Sequence, residues 1–233
     1  MGGTLVEETR LMNIQTARLI IRDFELDDAK SLYELIYNAT DYDGEFIARN
    51  GTLDELRARI EVWQSLKTKD DLYNKGINYA ICVKESAKIV GAVTVNAMDY
   101  LQELQIGWYM HKQFIGNGYA GEAGTAVSDY LLETFNLEYM CVTLDIDNIA
   151  SFRTAQKSGF KLFEKRIPYD YYWSKCDVEN HDEISKYFEN NQSHPGPNYY
   201  YFRKFNKNSK IKLRFFGDYD EETWEKINKR TSE

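Results

Sequence analysis

Residues 115–123 read Ile-Gly-Asn-Gly-Tyr-Ala-Gly-Glu-Ala, a glycine-rich turn that runs straight into a helical pattern. Glycines among small side chains let backbone N–H groups approach a bulky anion, and a helix starting there adds outward-pointing amides and the positive end of its dipole. The segment is built like a seat for a pyrophosphate. About half of the 233 residues precede it, so the fold must deliver this turn from the middle of the chain.

What precedes the turn reads as antiparallel. Thr16 to Phe24 is rich in β-branched and apolar residues and predicts a strand; Leu32, Leu35 and Ile36 behind Asp27-Asp28 predict a short amphipathic helix. Leu53, Leu56, Ile60, Trp63 and Leu66 recur at three- and four-residue spacing behind Thr52, which suits the cap of a second helix over 52–67. Tyr79–Lys84, Lys88–Asp99 and Glu103–His111 are strand candidates whose short polar breaks suit hairpins, so the middle of the chain reads as a meander.

After the turn, Ala123, Val127, Tyr130 and Leu131 form one face of a helix reaching about Phe135. Met140–Ile146 predicts a strand, Asn148 starts a helix that stops at Gly159, and Lys161–Ile167 is a further strand. In a polar insertion from Pro168 to Pro197, Asp177 to about Glu189 predicts a short helix. Tyr199–Phe205 returns to strand, Ile211, Leu213 and Phe215 alternate as another, and Asp220 caps a charged helix carrying Trp224 and Ile227.

Composition narrows the function. A net charge of −8 argues against nucleic acid as a partner, because binding phosphates requires a basic stripe. No apolar run approaches a membrane span, and Glu7 and Glu8 stand where a signal peptide would be basic and then apolar, so a soluble cytoplasmic protein with no membrane partner is expected. Cys82, Cys141 and Cys176 are too scattered for a disulfide framework. His111, His181 and His194 have no metal-ligand spacing, so no metal site is expected.

Gly116, Gly118 and Gly121 also satisfy G-x-G-x-x-G, and Asp145 lies near the end of the next strand, roughly where a ribose-binding acid belongs in a dinucleotide fold. Two ligands therefore compete for the seat: a dinucleotide in a Rossmann domain, making an oxidoreductase, and coenzyme A. A meander before the glycines and β-rich sequence after one helix disfavour the first. The second explains several ordered motifs together: Thr-Ala-Arg-Leu-Ile-Ile-Arg at 16–22, Gln-Ile-Gly-Trp-Tyr-Met at 105–110, the turn itself, and Asn148-Ile-Ala-Ser151-Phe-Arg153 running to Lys157-Ser-Gly159-Phe160. Across about 16–167, with 199–205 as the last element, the chain resembles the GNAT superfamily of acetyl-CoA-dependent N-acetyltransferases, and within it the RimJ/RimL type.

The resemblance implies an α/β fold of the α+β kind. A mixed, mostly antiparallel central sheet is flanked by helices, with an insertion at 168–197 between the last two core strands and a C-terminal extension at 207–233. One domain, 1–233, with its core at about 16–206, is expected. The family's turn usually begins with Arg or Gln, where this chain has Ile115; phosphate binding then rests on main-chain groups of Gly116, Asn117, Gly118, Tyr119, Ala120 and Gly121. The resemblance also implies that 105–110 splays from 140–146 and admits the pantetheine arm, and that N–H groups near Trp108, Tyr109 and Met110 polarise the thioester carbonyl.

Attack on a thioester needs a neutral amine and hence a base. The usual Glu before Ile-Gly is Gln105 here, and Glu103, two residues earlier on the same strand face, is the candidate base; an exposed strand-end acid is the alternative. Ala155 stands where many relatives have the Tyr that protonates the departing thiolate. Ser151 matches the RimJ/RimL serine and is the candidate donor, or simply a first-turn helix residue. Asn148 reads both as an N-cap and as a cofactor contact, while Arg153 and Lys157 either reach the cofactor's phosphates or lie on a solvated face.

The acceptor is expected opposite the cofactor, near the insertion with Tyr169, Tyr171, Tyr172 and Trp173 and six acids, and near Tyr42-Asp43-Gly44-Glu45. That aromatic, acidic rim suits a cation, or is a packed flap with a solvated face. The reading is acetyl transfer from acetyl-CoA to a primary amine, on a small molecule or a protein N-terminus. A catalytically silent CoA-binding module is the alternative. The C-terminal strand and helix either complete the fold or pair with a second copy as a homodimer.

Overall fold

The computed structural model describes residues 12–39, 51–66, 68–98, 103–166 and 199–209. The expected insertion at 168–197, the tail elements beyond Ile211 and the segment Tyr42–Glu45 lie outside the described residues. The chain divides into two compact units, one of Met1–Val95 with Trp108–Ala123, the other of Asn96–Gly107 with Gly124–Glu233.

In the first unit, β1 (Asn13–Gln15) pairs antiparallel with β2 (Leu19–Asp23), Asn13 facing Arg22. The sequence reading had a single strand from Thr16. The turn between them is closed locally, with Thr16 N–H donating to the Leu19 carbonyl and Leu19 N–H donating to the Thr16 hydroxyl, each at 3.0 Å. Such side-chain-to-backbone bonding competes with the ladder and breaks the strand.

Helix α1 (Ala29–Asn38) buries Ala29, Leu32, Leu35 and Ile36. Ahead of it the Arg22 guanidinium grips both Asp28 oxygens at 2.6 and 3.1 Å, which raises the pKa of Arg22. Helix α2 (Leu53–Ser65) opens on a capping box: Thr52 accepts from Glu55 N–H, and Glu55 accepts from Thr52 N–H at 2.7 Å. It buries Leu56, Ile60 and Trp63, with Trp63 5.7 Å from the ring of Phe24. A short α3 (Lys69–Asn74) repeats the box with Thr68 and Asp71. Strand β3 (Ile77–Val83) then pairs antiparallel with β2, and on its other edge with β4 (Ile89–Met98).

The second unit takes its first strand from the start of β5 (Glu103–Met110), then β6 (Tyr139–Asp145), β7 (Lys161–Arg166) and β8 (Tyr199–Phe205), in the spatial order β5-β6-β8-β7. Strands β6 and β8 pair antiparallel along their whole length, from Tyr139 opposite Phe205 to Asp145 opposite Tyr199. Strands β5 and β6 run parallel and share one paired register, Gln105 with Cys141.

Helix α4 (Tyr119–Thr134) continues into this unit and buries Val127, Ser128, Leu131 and Leu132. Lys204 of β8 holds it by bonds to Ser128 Oγ (2.8 Å) and Asp129 (2.7 Å). Helix α5 (Ile149–Lys157) buries Phe152 and Ala155, and Phe152 packs edge-on against Phe202 and Tyr200 at 5.0 and 4.8 Å. It ends at Gly159 (φ +82°), where the N–H groups of Gly159 and Phe160 return to the carbonyls of Gln156 and Ala155. That is the left-handed glycine stop expected from the sequence.

The class is therefore the expected one, α/β with a mixed, mostly antiparallel sheet flanked by helices. Antiparallel β1 to β4 ahead of the glycine turn rule out the doubly wound parallel start that a dinucleotide fold requires. The oxidoreductase alternative falls with it.

Candidate active site

The glycine turn belongs to the first unit. After a 3-10 turn at Lys112–Phe114, Gly116 and Gly118 adopt φ +80° and +76°, and α4 begins at Tyr119. A Cβ on Gly116 would meet nothing within 4 Å, so glycine is required there by the backbone conformation and not by space. Residues Ile115 to Gly118 are exposed. The Asn117 side-chain amide closes the turn by donating to the Phe114 carbonyl at 3.1 Å.

The turn between β1 and β2 grips this glycine turn from the side. Arg18 Nη1 donates to the Asn117 carbonyl at 2.9 Å, and its guanidinium lies 4.8 Å over the ring of Tyr119. Arg18 Nε and Nη2 reach Glu122 Oε2 at 2.7 and 2.6 Å, while Glu122 Oε1 accepts from Arg18 N–H (3.0 Å) and Thr16 Oγ1 (2.5 Å). Burial pushes the Glu122 carboxyl up, but the Thr16 and Arg18 hydrogen bonds and the Arg18 charge outweigh it and hold the group below its ordinary value.

Upstream, Trp108 is half-buried and Tyr109 and Met110 are buried at the end of β5, where His111 N–H donates to the Val90 carbonyl at 2.9 Å.

In the second unit, Asn148 Oδ1 accepts from Ser151 N–H at 2.9 Å, and the Asn148 carbonyl accepts from Phe152 N–H at 3.0 Å. The cap and the serine are thus brought together at the start of α5. Arg153 and Lys157 are exposed on that helix.

Glu103 sits elsewhere in the unit, and not as an exposed strand-end acid: it is 4% exposed. Its carboxylate accepts from the hydroxyls of Tyr139 and Tyr201 and from Arg203 Nη2, the last at 2.6 Å. Burial, then the bond to Glu103, raises the pKa of Tyr139. Gln105 Nε2 bonds Thr143 Oγ1 at 2.8 Å, bridging β5 and β6 beside their single shared register. Among the described residues no group of three or more His, Cys, Asp or Glu is arranged to hold a metal, and no helix is long and apolar enough to cross a membrane.

The sequence profile of the acetyltransferase (GNAT) domain matches residues 18–161. The chain belongs to the GNAT family.

It is 28% identical over 165 residues to an uncharacterized N-acetyltransferase, YnaD, of Bacillus subtilis, covering 70% of this chain and 92% of the relative. The RimL ribosomal L7/L12 α-N-protein acetyltransferase in complex with coenzyme A superposes with a TM-score of 0.58 at 13% identity, over 84% of this chain and 98% of that one. The microcin C7 self-immunity acetyltransferase MccE in complex with acetyl-CoA and AMP gives 0.55 at 18%, over 82% and 93%.

As a GNAT enzyme the protein is an acetyl-CoA-dependent N-acetyltransferase. The turn suits that cofactor: an exposed backbone surface with two left-handed glycines ahead of a helix start is chemistry for an anion. Arg18 and Glu122 stand inside the family motifs, yet the sequence alone assigns them no role. The available signal was their opposite charge: Glu122 is the single charged side chain of the glycine turn, and Arg18 is one of two cations in the 16–22 motif. The sequence alone does not single out Tyr139, Tyr201 or Arg203; the i, i+2 spacing of Tyr201 and Arg203 on one strand face was the only hint.

Proposed function

We propose that this enzyme acetylates an α-amine, most naturally a protein N-terminus, in the manner of the RimJ/RimL type and in the cytoplasm. Acetyl-CoA supplies the activated acyl group. Main-chain groups of Gly116, Asn117, Gly118, Tyr119, Ala120 and Gly121 hold its pyrophosphate, and N–H groups of the Trp108–Met110 segment polarise the carbonyl. Asn148, Arg153 and Lys157 are assigned to the cofactor by the family resemblance, and Ser151 to protonating the leaving sulfur. The buried free thiols of Cys82 and Cys141 agree with a reducing compartment.

The observation that carries the choice of amine is the state of Glu103. With Gln105 in the family's usual acid position, Glu103 is the remaining carboxylate on β5, and two tyrosines and an arginine engage it. We read it as a positioning residue instead of the base. Without a strong base, the amine's own pKa decides. At pH 7 an α-amine with pKa near 7.7–8.0 is about 10–20% neutral, whereas an alkylamine near 10.4 is neutral in only about one molecule in 2,500. The α-amine identity of the RimL substrate supports the same class.

The test follows free thiol while the protein is incubated with acetyl-CoA and a panel of peptide α-amines, lysine side chains and small alkylamines. We expect α-amines to lead by about 100-fold or more at pH 7, given their neutral fractions. Equal rates for alkylamines sink the choice of amine. No release with any amine by a protein that binds CoA removes amine acetylation itself.

A further inference from the structure

The turn from Ile115 to Ala123 carries a single charged side chain, and it is an acid, Glu122. Its N–H donates to the Gly118 carbonyl at 3.1 Å, so Glu122 closes the first turn of α4. An acid there stabilises the helix through the dipole, but it competes for the same positive field that a pyrophosphate would use, and two like charges at one helix start repel.

Arg18 answers this charge. Its guanidinium is half exposed, grips Glu122 Oε2 with Nε and Nη2, and also binds the carbonyl of Asn117 within the turn. A Cβ built on Gly118 would lie 3.6 Å from Arg18 Nη2, which places the positive charge directly beside the left-handed glycine. In the family position that often carries a cation the chain has Ile115, exposed and apolar. The cation that borders the turn comes instead from Arg18, just ahead of β2.

We propose that Arg18 is a positioning residue for the phosphate end of the cofactor: it cancels the Glu122 charge at the turn, holds that carboxylate toward β2, and fixes the Asn117 carbonyl away from the incoming anion. This rests on the reading that the turn holds the pyrophosphate of CoA. The ion pair is thus electrostatic compensation for anion binding as well as a staple between strand and helix. The two roles separate experimentally. A mere staple is broken equally by changing either partner, whereas compensation makes the arginine indispensable only while the acid is present.

The experiment titrates CoA into the wild type, Arg18→Gln, Glu122→Gln and the double variant by calorimetry at two salt concentrations. Thermal unfolding of each variant confirms a folded protein. We expect Arg18→Gln to weaken CoA binding about tenfold, which corresponds to 1.4 kcal/mol. Glu122→Gln, which keeps an acceptor for Arg18, should bind CoA as tightly as wild type or tighter, and the double variant should recover most of the loss. Raising the salt should narrow the deficit of Arg18→Gln, because exposed charges are screened. Pantetheine, which lacks the pyrophosphate, should be indifferent to all three changes.

Equal losses from Glu122→Gln and Arg18→Gln, or a double variant no better than Arg18→Gln, overturn compensation. Pantetheine binding that falls in step with CoA binding overturns it as well. A wild type that binds no CoA fails the underlying reading, and does so before any variant is compared.

Discussion

Arg203 donates through Nη2 to Glu103 Oε1 at 2.6 Å, joining β8 to β5 by an ion pair whose side chains are 12% and 4% exposed. The guanidinium also lies over the rings of Tyr139 and Tyr201, at 4.4 and 5.2 Å, so the carboxylate and its cation share an aromatic enclosure. A buried pair of this kind matters less for its net contribution than for what remains when one half is removed.

Arg203→Ala therefore leaves a buried carboxylate without its cation and should cost about 3–5 kcal/mol. Removing both charges together, in Glu103→Gln with Arg203→Met, should cost clearly less than Arg203→Ala alone. Urea midpoints of the three proteins decide it. A double variant less stable than Arg203→Ala contradicts the assignment. Glu103→Gln alone checks the catalytic reading, because a positioning residue leaves the pH profile of kcat/KM for an α-amine acceptor in place, whereas loss of a general base removes its acidic limb.

The start and end of α5 make a second pair of tests. Asn148→Ala removes the acceptor for Ser151 N–H and should cost about 1 kcal/mol, with Asn148→Asp restoring most of it. Gly159→Ala forces a Cβ onto φ +82° and should cost about 1–2 kcal/mol. If Asn148→Asp restores stability but not CoA affinity, the side chain serves the cofactor in addition to the helix; recovery of both leaves the cap as its whole role.

Glu122 makes stability depend on pH in a defined direction. Its folded-state pKa lies below the ordinary carboxylate value, so the folded protein holds the ionised form more firmly than the unfolded chain does. That contribution is complete above the unfolded value and is lost as pH falls through the folded one. The stability gap between wild type and Glu122→Gln should hold level from pH 7 to about 5 and close at lower pH, below the unfolded value near 4.3. Denaturant titrations at pH 7, 5, 4 and 3 measure it. A gap that widens on acidification would mean the carboxylate is not held ionised by Thr16 and Arg18.

Local rules made some elements readable and left others hidden. Asn148 and Gly159 were legible because each capping geometry needs only neighbours in sequence, and Tyr199–Phe205 because five of its seven residues are aromatic, a composition that favours strand. The hairpin at β1 was not, since it depends on where the Thr16 hydroxyl points. Helix α3 escaped because its six residues bury one apolar side chain, Leu72, and show no period. The site divides the same way. The glycine turn announces itself, whereas the partners of Glu103 lie 36, 98 and 100 residues away and follow from strand order, which periodicity does not encode.

Gly91 is where strand packing reaches the proposed chemistry. A Cβ at this position would lie 2.4 Å from Met110 Sδ and 2.7 Å from the Tyr109 carbonyl oxygen. The thioether can swing aside, but the carbonyl belongs to the backbone of β5. Next to Gly91 the β3–β4 register shifts between Ile81 and Cys82, and the Val90 carbonyl takes the His111 N–H at 2.9 Å, so the end of β5 is held on both sides of Met110. Gly91→Ala should therefore displace the Tyr109–Met110 backbone, with an overpacking cost of about 1–3 kcal/mol. Because that segment is assigned to polarising the thioester carbonyl, kcat should fall while CoA affinity, which rests on the turn, changes little. Adding Met110→Ala relieves only the contact with the side chain and should not restore turnover. Full activity in Gly91→Ala, or complete rescue by Met110→Ala, would show that the backbone of β5 is not what Gly91 positions.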